Sequence, residues 1–351
     1  MIPLFKVYMS DEAPARAAEV LTSGYIGQGE QVEAFETALG DLLGTDAPPL
    51  TTNSCTSAID LALHLIGVGS DDEVITTPVT CTATNSPIVT RGAVPIWADV
   101  DPETGLIDPS DVARKVTKNT RAIVAVDWGG SLCDYRALRS IGLPVIQDAA
   151  HHLAPPAGDY ACYSFQAIKF LTTGDGGALV CPPDQVERAR LLRWYGLDRR
   201  SKADFRCAQN IAEVGYKYHM NDIAASIGLA NIGHMPRIVN HHRQHAAIYD
   251  TLLRGIPGVA RPRWSDSSSW WLYTLLVEDR AAFIAYMAEC GIAASPVHAR
   301  NDRHTGFYYP NGRLPGVDYF ASRNCAIPVG WWVARADIER IIAPAVQSWR
   351  P

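Results

Sequence analysis

The sequence predicts an α/β fold, with a large domain built on a mostly parallel central sheet and a smaller α+β domain after it. Two observations point there. From about residue 47 to 180, short unbroken apolar runs alternate with stretches of helical periodicity. That is the pattern of strands buried on both faces beneath covering helices. After residue 199 the texture shifts to longer helical stretches and isolated strands. A chain of 351 residues has room for two such units, and the division is placed at 1–235 and 236–351.

In chain order, the candidate strands of the large unit are 73–77, 94–98, 122–126, 144–147, 161–164 and 177–181. The clearest helix is 56–66, where Ala58, Leu61, Ala62 and Leu65 follow the i, i+3, i+4, i+7 spacing. Further on, 221–233 and 237–253 read as helices, and Pro257 and Pro262 mark a connection. Then come a strand at 271–277, a helix at 280–290 and a β-like stretch at 293–297. A helical segment at 336–349 closes the chain, with Pro344 expected to kink or break it. No repeat, low-complexity tract or flexible linker interrupts this order.

At 47% hydrophobic and 19% charged, the chain has the composition of an ordinary globular enzyme. A formal net charge of -6 and the lack of a basic block argue against a nucleic-acid partner. Arg188, Arg190 and Arg193 share one predicted helix and read as solvated charge. The first residues lack a signal-peptide pattern, and no apolar run approaches the roughly 18 residues of a membrane helix. Eight cysteines, Cys207 among them, are scattered without metal-ligand spacing. The expectation is a reducing, cytoplasmic setting, with no metal and no membrane.

The chemistry centres on Ser164-Phe-Gln-Ala-Ile-Lys169-Phe-Leu-Thr-Thr-Gly174-Asp-Gly-Gly177, which places a lysine just before a glycine-rich turn. Upstream, Val145-Ile-Gln-Asp148-Ala-Ala-His151 ends a predicted strand on an aspartate. In open α/β sheets, ligands sit beyond the carboxyl ends of the strands. A lysine in apolar surroundings loses basicity and is readied for imine formation. A carboxylate opposite it keeps a pyridinium protonated. Together Lys169 and Asp148 suit pyridoxal phosphate, although an aspartate before Ala-Ala also makes a good helix cap. Thr51-Thr-Asn-Ser54-Cys55-Thr56-Ser57 reads as a hydroxyl-rich turn opening a helix, a place for the phosphate, and Ser164 adds a hydroxyl.

These residues resemble the DegT-type sugar aminotransferases, pyridoxal-phosphate enzymes of the aspartate-aminotransferase fold (fold type I). The likeness runs over nearly the whole chain. It includes Ser23-Gly-Tyr-Ile-Gly-Gln-Gly29, Asp99-Val-Asp-Pro-Glu-Thr104, the lysine and aspartate segments, and Gly215-Tyr-Lys-Tyr-His-Met220. The resemblance implies Lys169 as the Schiff-base lysine and Asp148 as partner of the pyridine nitrogen. Ala150 would lie against one ring face, His151 near the ring hydroxyl, and Cys55, Thr56 and Ser164 at the phosphate. It further implies a homodimer with shared sites, a keto-sugar acceptor (nucleotide-linked) and L-glutamate as donor. A ketocyclitol or a free keto sugar is the alternative acceptor. A ligand-sensing regulator on the same fold is disfavoured by the intact pair. The family's dehydratase branch carries histidine in place of the lysine, so Lys169 argues against it.

The chain departs from that family in places. The segment Pro78-Val-Thr-Cys-Thr-Ala-Thr-Asn85 has no aromatic to cover the ring, leaving Cys81, Thr80 or Trp128 for that face. Only Pro155-Pro-Ala-Gly158 remains of a hairpin between aspartate and lysine. Lys217 stands where a partner subunit usually offers asparagine to the phosphate, and His219 replaces an arginine. On the substrate side, Trp270-Trp-Leu-Tyr273, His298, Arg300 and Trp331 offer aromatic and polar groups for a sugar. Domain packing would account for the same residues.

Overall fold

The structure is a computed structural model that describes residues 1–201, 208–265, 267–307, 309 and 312–350. Cys207 therefore lies outside the described residues, and the cysteines within them are free. Strands β1 (Leu50–Thr52), β2 (Glu73–Thr76), β3 (Val94–Trp97), β4 (Thr120–Val126), β5 (Val145–Asp148), β6 (Tyr160–Ser164) and β7 (Gly177–Val180) form a seven-stranded sheet. Its order is β1-β7-β6-β5-β4-β2-β3. The strands from β3 through β6 pair in parallel, and β7 runs antiparallel between β6 and β1.

Strand β1 was not anticipated. The hydroxyl-rich stretch beginning at Thr51 does turn at Asn53, but Thr51 and Thr52 first pair with Ala178 and Gly177. Both threonines are buried, and Glu36 accepts from the Thr51 N–H (2.9 Å) and hydroxyl (2.8 Å). β-branched residues suit a pleated surface once their hydroxyls are satisfied. Arg193 corrects a second expectation, for it is buried rather than solvated. It ion-pairs with Glu36 and donates to the Thr51 carbonyl (2.7 Å). A guanidinium tolerates that burial because both partners face it.

The first four helices are α1 (Ala13–Ser23), α2 (Glu30–Leu43), α3 (Cys55–Ile66) and α4 (Thr82–Thr90), of which α3 and α4 border the site. On α3 the predicted stripe is buried, and Ala58, Leu61, Ala62 and Leu65 join Ile146, Cys162 and Leu179 of the sheet in one cluster. Each fully buried leucine contributes about 1.5–3 kcal/mol. Ser54 starts α3 by accepting the Ser57 N–H at 3.1 Å, worth about 1 kcal/mol. Helix α2 is capped from afar. Asp222 accepts the amides of Gly29 (2.8 Å) and Val32 (3.1 Å), and a Cβ on Gly29 would lie 2.8 Å from its carboxylate.

The C-terminal part carries a three-stranded antiparallel sheet in the order β10-β9-β8, from β8 (Val259–Ala260), β9 (Tyr273–Val277) and β10 (Asn324–Ile327). Helices Met235–Leu252 and Arg280–Glu289 accompany it. The stretch 293–297 is not a strand, since it makes only the bridge between Ser295 and Ala326. Pro296 lacks an N–H, and Val297 turns to φ 68. Nor does Pro344 break the last helix. A π turn over Ile338–Ile342 precedes it, and Pro344 falls at the start of Ala343–Ser348, where a missing N–H costs least. One hydrophobic cluster joins Phe35 and Phe165 of the large sheet's side to Trp271 and Phe283 of the second part. Among the described residues, no helix is long and apolar enough to cross a membrane.

Candidate active site

A cavity of about 480 Å³ opens at the carboxyl edge of the parallel strands, where Val126, Asp148 and Ser164 end β4, β5 and β6. This is where the topology of an open α/β sheet places ligands. Cys55 and Thr56 of α3, Thr80, Cys81 and Thr84 around the start of α4, Ala150, His151 and Lys169 complete one side. Phe5, Trp271, Ser295, Val297 and His298 face them. A larger groove of about 880 Å³ around Asp99, Asp101, Glu103 and Tyr319 has no lysine or histidine in its lining. The paired groups lie in the smaller cavity.

Asp148 is buried at the end of β5. Thr84 donates its hydroxyl to Oδ2 at 2.7 Å, and the Ala150 N–H donates to Oδ1 at 3.0 Å. The Thr84 oxygen is in turn 2.7 Å from that of Thr80. Burial raises the Asp148 carboxyl above its ordinary range, while Thr84, Ala150 and the Lys169 charge oppose the rise. No helix follows Asp148 before β6, so it caps none: Oδ1 closes a local turn onto Ala150, and Oδ2 is held by a side chain remote in sequence.

Lys169 follows a turn closed by its own N–H to the Gln166 carbonyl at 2.9 Å. Its Nζ lies 3.8 Å from the centroid of the Trp271 ring. The side chain is half-buried, yet lost hydration draws its ammonium down to about 8 against the upward pull of Asp148. Trp271 is fixed by donating to the Ile168 carbonyl (3.1 Å) and by stacking on His151, with centroids 4.0 Å apart. His151 is buried, and burial together with Lys169 holds its pKa well below 6.5.

The glycine-rich turn has separate reasons at its separate positions. Gly174 adopts φ +85, which permits the reversal into β7. At Gly177 a Cβ would come within 2.5 Å of the Cys55 nitrogen. Glycine there lets β7 lie directly against the first turn of α3, so that the helix N-terminus faces the cavity beside Ser164.

The structure thus gathers Cys55, Thr56, Cys81, Asp148, Ala150, His151, Ser164, Lys169 and His298 around one space. Lys217, Arg300 and Trp331 stand outside it. Lys217 rests on Trp194, 4.5 Å from the ring centroid, and Arg300 is held by Asp302 (2.7 Å) and Asp318. Trp331 sits behind Lys169, bounding a narrow space with Lys6 and Trp271. Cys81 and Thr80 line the wall that lacks the usual aromatic, whereas Trp128 packs behind His151 and His298. Sequence reasoning missed Thr84 and Phe5. Thr80 precedes α4, so its pairing with Thr84 left no helical spacing to read, and Phe5 offered no signal either.

The donor set fits pyridoxal phosphate: a lysine of lowered basicity, a buried carboxylate, and a helix N-terminus flanked by hydroxyls and kept open by Gly177. Fold and site together define a pyridoxal-phosphate-dependent aminotransferase of fold type I. Residues 8–346 match the profile of the DegT/DnrJ/EryC1/StrS aminotransferase family, and the chain belongs to that family as a sugar aminotransferase. It is 30% identical to the spore coat polysaccharide biosynthesis protein SpsC of Bacillus subtilis (strain 168), over 97% of this chain and 95% of that protein. Among solved structures it is similar to AtS13 from Actinomadura melliaura, with 40% identity, a TM-score of 0.94, and coverage of 100% of this chain and 99% of that one. It is also similar to the sugar aminotransferase CalS13 from Micromonospora echinospora, with 38% identity, a TM-score of 0.94, and coverage of 99% and 100%.

Proposed function

We propose that this enzyme aminates a nucleotide-linked keto sugar, with L-glutamate as the amino donor. The observation that carries the reading is the convergence of Lys169 and Asp148 on one cavity beside the α3 N-terminus. Bound there, the cofactor supplies an electron sink for carbanion chemistry. Asp148 would hold the protonated ring nitrogen, Ala150 and Cys81 the ring faces, and His151 the ring hydroxyl. Cys55, Thr56 and Ser164 would hold the phosphate. Lys169 Nζ, with its lowered basicity, takes a proton from the donor's α-carbon and returns one to the acceptor carbon that receives the amine. Phe5 and Trp271, stacked on one another with centroids 5.0 Å apart, give the cavity an apolar wall. The division at residue 235 would separate the cofactor-binding part from the smaller one. The free cysteines among the described residues support a cytoplasmic setting.

The enzyme acts, on this reading, as a homodimer in which Lys217 reaches the partner's phosphate. Its place outside its own cavity supports that role, as does the exposure of Tyr25 and Val214 (84% and 80%). Mixing inactive Lys169→Ala and Lys217→Glu proteins should restore activity as subunits exchange; mixed dimers that stay inactive refute it. The acceptor class is tested by offering nucleoside-diphosphate keto sugars, free keto sugars and ketocyclitols with glutamate. Mass spectrometry should find amination of the nucleotide-linked class foremost, and a preference for the free compounds overturns that part.

A further inference from the structure

Val297 stands out among the cavity residues because a β-branched side chain there occupies φ 68. The His298 N–H donates back to the Pro296 carbonyl at 2.8 Å, closing a γ-turn of the left-handed, strained kind around Val297. Such a conformation persists only where its surroundings over-determine it. Here they do so on both flanks. Upstream, Ser295 exchanges backbone bonds with Ala326 (2.7 and 3.2 Å), and its hydroxyl accepts the Val297 N–H at 3.0 Å. Downstream, Asn301 donates from its backbone to the Pro78 carbonyl (2.9 Å) and from its side chain to the Thr80 carbonyl (2.8 Å). Asn85 donates to its Oδ1 at 2.8 Å. The loop is thus tied to the wall that carries Thr80 and Cys81.

Between those ties the turn delivers His298 to the cavity. Its ring lies 5.8 Å from that of Trp128 and 5.9 Å from that of His151, nearly parallel to the latter at 8°. Its Nε2 is shut off from solvent and has no hydrogen-bond partner among the described residues, whereas the ring as a whole is only partly buried. Because His298 lines the cavity, its imidazole is within reach of a bound molecule there. Burial and the nearby Lys169 hold His298 down to about 4, so it is a neutral imidazole at neutral pH. An amino-acid donor presents carboxylates, which call for cations. A neutral imidazole, one nitrogen donating and the other accepting, matches a hydroxyl instead.

We propose that the strained turn at Val297 positions His298 as a specificity-determining residue that hydrogen-bonds a hydroxyl of the acceptor sugar. This rests on the keto-sugar reading above. The test compares the two half-reactions in His298→Phe, His298→Gln and Val297→Gly, with cofactor absorbance confirming intact sites. His298→Phe should lower kcat/KM for the keto sugar by about tenfold to a hundredfold, chiefly through KM, while single-turnover reaction with the donor changes less than about twofold. His298→Gln should recover part of the loss, and Val297→Gly should show the same selective loss more weakly. Equal losses in both half-reactions, or none with the acceptor, overturn the proposal while leaving the keto-sugar reading intact. A wild-type enzyme that aminates no keto sugar overturns both.

Discussion

The two walls of the cavity are built in different ways. The cofactor wall is made of strand ends and helix starts, and its groups are placed by regular backbone: Asp148 ends β5, Ser164 ends β6 and Ser54 caps α3. The opposite wall is loop, and its groups are placed by hydrogen bonds between residues far apart in sequence, such as Asn85 with Asn301. On the proposed reading, chemistry common to many substrates belongs to the first wall, and the contacts that choose a substrate to the second. The contrast implies that mutations on the first wall abolish turnover, whereas those on the second redistribute it.

The largest effect should come from Lys169→Ala, which removes the proton carrier and the covalent anchor together. Turnover should fall by about 10⁴-fold, and borohydride reduction, which should trap the cofactor on Lys169 in the wild type, should find no adduct. An adduct mapped to another lysine would relocate the site. Asp148→Asn should cost about 10²- to 10³-fold in kcat with the fold retained; activity within a few-fold of wild type would reduce Asp148 to a structural role. Thr84→Val is the milder form of that lesion. It removes one donor from the carboxylate, which should raise the Asp148 pKa further and lower kcat about tenfold.

Gly177→Ala tests whether backbone closeness at the helix N-terminus is needed. The added Cβ would meet the Cys55 nitrogen and the Ser54 carbonyl carbon at 2.5 Å. The α3 start must shift, costing about 1–3 kcal/mol, and cofactor affinity measured by absorbance titration should weaken. The smallest effect concerns pH. In the apoprotein Lys169 is held at about 8 in the fold against 10.5 for the ordinary side chain. The folded chain thus binds that proton less tightly than the unfolded one, so the charged form costs stability below about 8, and the cost fades as pH rises toward 10.5. Apo Lys169→Met should therefore be more stable than wild type at pH 7, by about 2 kcal/mol, with the gap closing above pH 8. A gap that does not change with pH would mean the lysine is well solvated, and one that widens would mean the fold stabilises its charge.

The first wall was legible in the sequence because its signals are local. Apolar runs mark the strands, Asp148 and Ser164 end two of them, and Lys169 follows in the turn after Ser164. Arg193 and β1 escaped for a related reason: the partner that makes burial tolerable, Glu36, lies on another element and leaves no periodic trace. The second wall was legible only as composition. The histidine and tryptophans were visible, but the choice of His298 over Arg300 depends on ion pairs with Asp302 and Asp318 that occupy the guanidinium. The proline in 293–297 was visible too; its consequence, a turn in place of a strand, needed the φ of Val297.

The capping of α2 by Asp222 bears on how the chain comes to fold. The carboxylate that receives the Gly29 and Val32 amides is about 190 residues downstream of them. As the chain leaves the ribosome, α2 begins without its cap and acquires it only after the whole seven-stranded sheet has been synthesised. Closing so long a loop is slow relative to local helix formation. Docking of Asp222 thereby becomes a late step that couples the N-terminal helices to a sheet already assembled, and a chain cut short before it would carry α2 with a frayed first turn.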